Sequence, residues 1–232
     1  MQGGDDETAR AGWARPVGAT LALALLFAAV LFGAYGSLAW PMAWAFLAWF
    51  GLYSLAGFVL LPRALIEERS RMHEDFDRAD LLRAGLASLF LFPVTLAVCG
   101  VDARLSASPA LPSSLRAAAC GVFVLGYGFG MWAARVNPFF SKEVRIQRER
   151  GHHVVDRGPY AFVRHPGYAG PMLAHIALPL ALGSLTGLLP ALLGCGLLGL
   201  RALYEERRLA RELAGYAEYA ARVRFRIVPR VW

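Results

Sequence analysis

The segment 158–170 gathers side chains that can bind an anion, and its sequence is GPYAFVRHPGYAG. Pro166 suits the first turn of a helix, because the N–H that proline lacks would have no partner there. Arg164 and His165 then stand at a helix N-terminus, where free N–H groups and the helix dipole favour a carboxylate or another anion. The segment therefore predicts an anion site. Considered alone, Arg164 also fits an anchor at the level of the lipid headgroups.

Two adjacent carboxylates, Glu205 and Glu206, follow the next pair of apolar segments along the chain. The stretch 167–203 between them and the anion site is long enough for two membrane crossings and a tight turn, at about 1.5 Å per residue. We therefore expect both carboxylates to return opposite the anion site. Adjacent helical positions point about 100° apart, so the two cannot face one pocket equally. Pairing with the arginines that follow them is the alternative.

Three glycines, Gly126, Gly128 and Gly130, alternate along an earlier apolar segment. Glycine allows a ligand to approach the backbone closely, so Gly128 is a candidate contact for a cofactor. Gly126 and Gly130 also form the GxxxG pattern of packed membrane helices. Packing is the better explanation for that pair.

These residues must be positioned by membrane helices, because 57% of the chain is apolar. The sequence predicts an all-α, polytopic transmembrane helical bundle of about six spans, or five if two of them merge. The predicted spans are 17–36, 41–61, 84–101, 115–134, 167–182 and 185–203. We divide the chain into an N-terminal tail (1–16), four spans (17–134) and a cofactor-binding catalytic region that ends in a helical hairpin and a tail (135–232).

The arginines decide the predicted orientation of the bundle. With six spans, 22 of the 24 Lys and Arg residues fall on the side that holds both termini, and Arg104 and Arg116 fall on the other. The positive-inside rule makes the first side cytoplasmic, together with the candidate site. Lys142 is the one lysine, a bias of GC-rich genomes, so we expect the cytoplasmic membrane of a bacterium. The basic residues suggest contact with anionic lipids, not nucleic acid, and no obligate protein partner is evident.

Other polar residues carry weaker signals. His175, within a span, is more typical of a packing residue than of a proton relay, and so few charges in the spans disfavour a transporter or scaffold. The segment 63–83 mixes acidic residues with arginines and predicts a solvated or interfacial helix. The cysteines have no metal-ligand spacing, so we expect three small packing residues and no metal site: Cys99, Cys120 and Cys195.

The segment 158–170, with His152 and Val155 before it and Glu205 and Glu206 one hairpin later, resembles the isoprenylcysteine carboxyl methyltransferase family. The tail segment 216–223 is similar to the closing segment of that family. Phospholipid N-methyltransferases are similar as well, with a GxG inside a span. The resemblance extends over residues 137–229, and the first three spans are similar only in hydropathy.

The resemblance implies S-adenosyl-L-methionine as the cofactor, bound between the last hairpin and the cytoplasmic loops. Carried over by position, the residues that would line its pocket are His152, Val155, Gly158, Tyr160, His165 and Tyr168. Glu205 and Glu206 would bind its polar groups. Arg222, by match with the family's tail, and then Arg164 are candidates to place the acceptor, and Asn137 could orient it.

The resemblance leaves the acceptor open. A bacterium would not ordinarily offer a prenylated cysteine, so we expect a lipophilic acid, amine or thiol that enters from the bilayer. A membrane reductase of the sterol reductase type, which uses NADPH, shares the Arg-His-Pro run and is the main alternative. The pair Glu205 and Glu206, with the Gly-Pro-Tyr lead-in and the short chain, favours methyl transfer.

Overall fold

The structure is a computed structural model that describes residues 3–71 and 77–232. The described part contains helices and no strand. The helices are α1 (Gly3–Tyr35), α2 (Pro41–Leu60), α3 (Arg63–Ser70), α4 (Arg78–Leu89), α5 (Thr95–Leu105), α6 (Ser113–Val136), α7 (Pro166–Leu182), α8 (Leu188–Glu212) and α9 (Tyr216–Arg222). The predicted all-α, polytopic fold class is thereby confirmed.

Five of the described helical segments are long and apolar enough to cross a membrane, so this is an integral membrane protein. They are Trp13–Tyr35, Pro41–Leu60, Arg78–Leu105, Ser113–Val136 and Leu188–Glu212. The remaining predicted span, 167–182, corresponds to α7. Its 17 residues extend only about 25 Å, less than the ~30 Å hydrocarbon core. By length and composition, five helical segments can therefore span the membrane. Helix α7 is an inner helix that extends between the same two ends of the bundle.

Helix α7 packs against α6 almost backbone to backbone. A Cβ added to Gly126 would lie 2.6 Å from the carbonyl oxygen of Gly170, and one added to Gly130 would lie 3.1 Å from the ring of Pro171. Small residues permit such close approach of membrane helices. The packing explanation of the GxxxG pair is confirmed, and α7 is thereby held in the centre of the bundle.

Helices α4 and α5 form one continuous span with a wider π-helical turn, Phe90–Val94, between them. Pro93 lies in this turn and has no N–H to give to the ladder, which favours such an interruption. Thr95 donates its hydroxyl to the Phe90 carbonyl at 2.6 Å and so satisfies one acceptor there. The turn directs Leu91 and Phe92 toward the interior of the bundle, where both line the cavity described below.

The end of the bundle where α5 finishes and α7 meets α8 is tied together by one buried carboxylate. Asp102 is 4% exposed. It accepts hydrogen bonds from the N–H and hydroxyl of Ser108 at 2.7 and 2.5 Å, from Ser184 at 2.5 Å and from Thr186 at 2.6 Å. The predicted span ends at residue 101 and so excludes this charge. The helix continues to Leu105, so Asp102 is one of its residues.

Candidate functional site

A cavity of about 320 Å³ opens at the other end of the bundle, near the low limit of the ~300–1,000 Å³ typical of ligand sites. It lies between α3, α7, α8, α9 and the loop 137–165. Eight of the predicted site residues line it: Asn137, His152, Val155, Tyr160, Arg164, His165, Tyr168 and Glu205. The structure therefore brings together residues that are distant in the sequence.

The hairpin of α7 and α8 returns the carboxylates to the start of α7, as predicted. Tyr168 donates its hydroxyl to Glu205 Oε2 at 2.5 Å. Glu205 lines the cavity, whereas Glu206 is directed away from it and pairs with Arg164 and Arg226. The expectation that only one carboxylate faces the pocket is confirmed, and that residue is Glu205. The alternative was that the carboxylates pair with the arginines that directly follow them in the sequence. Glu206 does not, because its partners are Arg164 and Arg226.

Arg164 fastens the C-terminal tail to the start of α7. Its guanidinium donates to Glu206 Oε1 at 2.6 Å and to the carbonyls of Val223 and Arg224 at 2.7 and 2.9 Å. Its backbone N–H donates to Phe225 at 2.9 Å. The predicted anion corner therefore exists, but the anion in it is the protein's own Glu206. The prediction that Arg164 places an acceptor has no support in this geometry.

A second buried ion pair supports the cavity from the side of α4. Arg201 binds both oxygens of Asp80 at 2.9 Å and donates to the Tyr168 hydroxyl at 3.0 Å. Asp80 is 3% exposed, so the predicted solvated character of segment 63–83 is wrong for it. It is also wrong for Glu68, which is buried and pairs with Arg145 at 2.6 Å. Asp75, in the same predicted segment, lies outside the described residues.

Among the buried polar atoms of the cavity wall that have no hydrogen-bond partner in the described part of the chain are His165 Nε2 and Tyr216 Oη. Both side chains are 4% exposed. A buried polar atom left without a partner costs about 1–3 kcal/mol, so it calls for a bound group. Burial also lowers the pKa of His165, and a neutral ring keeps one nitrogen as an acceptor. These two atoms are the strongest indication of a ligand at this position.

His152 is held rigidly in the loop 137–165. Its ring stacks on Phe139 with centroids 4.4 Å apart, and its Nδ1 accepts from the Gln147 N–H at 3.2 Å. Burial, with smaller contributions from the charges of His153, Arg145 and Arg150, lowers the pKa of His152 to about 4. The ring is therefore neutral near pH 7. Because Nδ1 accepts, Nε2 carries the proton and is a donor.

Asn137 and Tyr160 stabilise the same loop from within. The Asn137 amide donates to the Tyr160 hydroxyl at 3.1 Å, and its oxygen accepts from the Phe139 N–H at 2.9 Å. The Tyr160 carbonyl accepts from the Tyr219 hydroxyl at 2.7 Å. Both polar groups of Asn137 are thus engaged by the loop, so its predicted role in orienting an acceptor becomes one of shaping the cavity.

Three further predicted residues lie outside the cavity. Gly128 is exposed on the outer face of α6, so its assignment to the cofactor site has no geometric support. The Arg222 side chain is 67% exposed and pairs with Asp156 at 2.8 Å, which does not fit an acceptor-placing role. Gly158 has φ +59°, and a Cβ there would lie 3.1 Å from Val136, so glycine is needed for the turn.

His175 and the cysteines match their predicted roles as packing residues. His175 Nδ1 donates to the Pro171 carbonyl at 2.8 Å, which leaves Nε2 to accept from the Tyr127 hydroxyl at 3.2 Å. The three cysteines are free thiols, and Cys99 and Cys195 are buried. Sequence reasoning nevertheless missed that His175 and Tyr127 close the inner end of the cavity. It also missed Arg69, which lines the cavity from α3. The segment that contains Arg69, 63–83, predicted only a solvated or interfacial helix.

Residues 119–211 match the isoprenylcysteine carboxyl methyltransferase (ICMT) family. The match includes α7, most of α8 and all of the loop 137–165, which together form much of the cavity wall. It confirms the resemblance drawn from segment 158–170. No curated protein matches the chain.

Proposed function

From the match of residues 119–211 to the ICMT family, we propose that this protein is a membrane methyltransferase whose methyl donor is S-adenosyl-L-methionine. The observation that carries the proposal is the pair of buried atoms without partners, His165 Nε2 and Tyr216 Oη, in one cavity with the Glu205 carboxylate. The methionine end of this donor has an ammonium and a carboxylate, and its adenosine end has further hydrogen-bonding groups. A site with one carboxylate and several neutral donors and acceptors suits such a molecule.

The residues of the cavity divide this work by charge. Glu205 provides the negative charge for the ammonium group, and the hydroxyl of Tyr168 orients that carboxylate. His165 and Tyr216 offer neutral polar atoms. Because burial lowers the pKa of His165, its ring is uncharged and adds no positive charge beside a sulfonium. His152 offers its Nε2–H from the loop side. None of these groups needs to gain or lose a proton to bind the donor.

The bound donor supplies a methyl group on a positively charged sulfur, which an acceptor can attack in line. The protein then has two tasks, to align the acceptor and to exclude water. The inner part of the cavity suits both tasks, since Leu91, Phe92, Pro171 and Leu198 line it. A lipophilic acid, amine or thiol could enter this part from the bilayer.

The location follows from the charge partition together with this cavity. The cavity is at the end of the bundle that holds α3, the loop 137–165 and residues 201–232, which contain 16 of the 24 Lys and Arg residues. By the positive-inside rule this end faces the cytoplasm, where the donor is made. We expect the protein in the cytoplasmic membrane of a bacterium, in contact with anionic lipids.

Ligand-dependent thermal stability in detergent tests the proposal. S-adenosylmethionine and its demethylated product should each raise the melting temperature, with about 2.7 kcal/mol of stabilisation at 100 times Kd, and NADPH should not. Glu205→Gln should weaken this effect. Glu212→Gln, which changes an exposed carboxylate on the same helix outside the cavity, should leave it unchanged. Stabilisation by NADPH alone would instead assign the cavity to a membrane reductase of the sterol reductase type.

A further inference from the structure

Segment 226–232 returns from the tail to the membrane-spanning part of α8. The ring of Trp232 lies against Gly199, where an added Cβ would be 3.6 Å from it. Gly199 lies about 12 Å along the helix axis before Arg207, which is the first exposed charged residue of α8. Leu200, next to Gly199, is exposed on the surface of this span. Trp232 therefore lies at a level where the surface of α8 is still apolar.

The sequence of this segment, RIVPRVW, places apolar side chains between two arginines. Ile227 is buried, but Val228, Val231 and Trp232 are 45, 78 and 36% exposed. Through Trp232 these exposed side chains adjoin the apolar surface of α8. Apolar surface that continues the surface of a membrane span is suited to contact with lipid.

The backbone of segment 226–232 is largely satisfied without water. Six of its seven residues have an N–H, because Pro229 has none, and five of these N–H groups donate within the segment. Those of residues 226, 227 and 228 donate to the main-chain oxygen of Trp232 at 2.9, 3.0 and 3.1 Å. Those of residues 231 and 232 donate to the Val228 carbonyl at 3.2 and 3.0 Å. A non-helical segment that meets lipid needs such internal partners.

The start of the segment is fixed to the bundle. The Arg226 guanidinium pairs with Glu206 and lies over the Trp232 ring, with its central carbon 5.8 Å from the ring centre. The Arg226 carbonyl accepts from the His165 N–H at 2.8 Å. The charge of Arg226 is thus balanced by the protein, whereas Arg230 is exposed. A long basic side chain beside apolar residues can extend to the phosphates of lipid headgroups.

We infer that segment 226–232 is an interfacial anchor, which inserts Val228, Val231 and Trp232 into the lipid leaflet at the cavity end of the bundle. Its partner is the bilayer itself: acyl chains contact the three apolar side chains, and headgroup phosphates contact Arg230. Such segments lie about 5–10 Å deep, at the boundary between headgroups and acyl chains. Tryptophan suits this boundary because its ring is apolar and has one N–H donor. The inference does not depend on the proposed function.

Spin labels in nanodiscs of phosphatidylethanolamine and phosphatidylglycerol test this inference, because oxygen concentrates in the bilayer and a nickel chelate stays in water. The label is attached to Val231→Cys. Leu200→Cys, on the surface of the α8 span, is the reference for lipid, and Glu218→Cys, exposed on α9, is the reference for water. We expect the label at position 231 to be relaxed by oxygen and protected from nickel, like the label at position 200 and unlike the label at position 218.

The native thiols require one further change in every labelled variant. Cys99 and Cys195 are buried, whereas Cys120 is partly exposed, so each variant also has Cys120→Ala. Cys120→Ala by itself should take up no label, and any signal that it gives is subtracted from the others.

A label at Val228→Cys tests whether the apolar side chains hold the segment in the leaflet. Val231→Asp places a charge where acyl chains are expected, so the segment should leave the lipid. Nickel accessibility at position 228 should then rise to that of the label at position 218. Val231→Leu is the matched control, because it keeps an apolar side chain of similar size, and should leave this accessibility low.

Three results would overturn the inference. A label at position 231 as accessible to nickel as the one at position 218 would place the segment in water. Low accessibility to both oxygen and nickel would show that protein covers it, either a second copy of the chain or another partner. Unchanged accessibility at position 228 in Val231→Asp would show that apolar contact with lipid does not hold the segment.

Discussion

The two ends of the bundle each contain a buried polar cluster, but the clusters differ in how completely their hydrogen bonds are made. At one end, the oxygens of Asp102 receive hydrogen bonds from Ser108, Ser184 and Thr186. At the cavity end, His165 Nε2 and Tyr216 Oη are equally buried and have no partner among the described residues. The first cluster is complete without a ligand, and the second is not.

The difference separates polar residues that hold the fold from those that bind. A satisfied polar cluster ties elements together, and removing one member leaves the others unpaired. An unsatisfied buried atom lowers the free energy of unfolding until a ligand arrives, so its removal should not destabilise the fold and should weaken binding instead. The Asp80–Arg201 pair borders the cavity but belongs to the first class, because the charges of its two side chains are balanced. The predictions below test this division.

The largest effect is expected where a buried charge loses its partner. Asp80→Ala leaves Arg201 unpaired in a nearly dry site and should lower the free energy of unfolding by about 3–5 kcal/mol. Glu212→Gln breaks a more exposed pair, on the same helix as Arg201, and should cost only about 0.2–1 kcal/mol. Denaturant unfolding in mixed micelles measures both. Equal costs for the two variants would contradict the structural role of Asp80.

The opposite end should affect stability without affecting binding. Asp102→Ala removes the acceptor of Ser108, Ser184 and Thr186 and should cost about 2–3 kcal/mol. The affinity for S-adenosylmethionine, extrapolated to the folded protein, should remain that of the wild type. Weaker cofactor binding in the folded fraction of this variant would show that the two ends are coupled.

Two tyrosines on α9 test the comparison within one helix. Tyr219 donates to the Tyr160 carbonyl, so Tyr219→Phe should lower the free energy of unfolding by about 1–2 kcal/mol. Tyr216 has no partner among the described residues, so Tyr216→Phe should leave the free energy of unfolding unchanged or raise it, by at most about 1–3 kcal/mol, and should weaken cofactor binding about three- to tenfold. Thermal shift and isothermal titration give the two quantities. The opposite assignment of effects would reject the division between holding and binding residues.

The smallest effect is a pH dependence at the cavity end. Burial lowers the pKa of His152 to about 4, against ~6.5 in the unfolded chain, so folding favours the neutral ring. The contribution to stability is complete above pH ~6.5 and is lost as the pH falls toward about 4, because the unfolded chain takes up the proton first. His152→Asn should therefore be less sensitive to acid than the wild type over this range.

His153→Asn is the matched control, because His153 is adjacent and exposed. Because the charge of His153 contributes less than burial to the lowered pKa of His152, this variant should keep most of the pH dependence of the wild type when melting temperatures are compared from pH 7 to pH 4. An acid response in His152→Asn as steep as that of the wild type would show that burial of His152 does not drive it.

The fold and half of the site were within reach of sequence reasoning because they depend on local patterns. Apolar length predicts the spans, and the length of the α7–α8 hairpin predicts that Glu205 returns to His165. The 100° step of a helix predicts that Glu205 and Glu206 diverge. Gly128 was assigned from the spacing of the glycines and Arg222 from the match with the family's tail, and neither gives information on which side of a helix faces the cavity.

The remaining errors share one cause. Arg164, Asp80 and Arg69 are all charged residues whose local sequence is compatible with a solvated surface. What distinguishes them is a partner, or the lack of one, on a distant element: Arg201 follows Asp80 by 121 residues. The sequence predicts how many charged side chains need a partner, but not which of them have one.

The sequence by itself determined that this chain is a helical membrane protein, that its basic residues gather on one side, and that segment 158–170 meets the end of α8 there. Apolar length and helix periodicity depend on residues within a few turns of each other, so they can be recognised in the sequence alone. Only the tertiary structure decided that Glu206 balances Arg164, that Glu205 lines the cavity, and that Arg69 has no carboxylate partner in the described part. The free energy of a charge depends on its distance from other charges and from water, and both distances are fixed by packing.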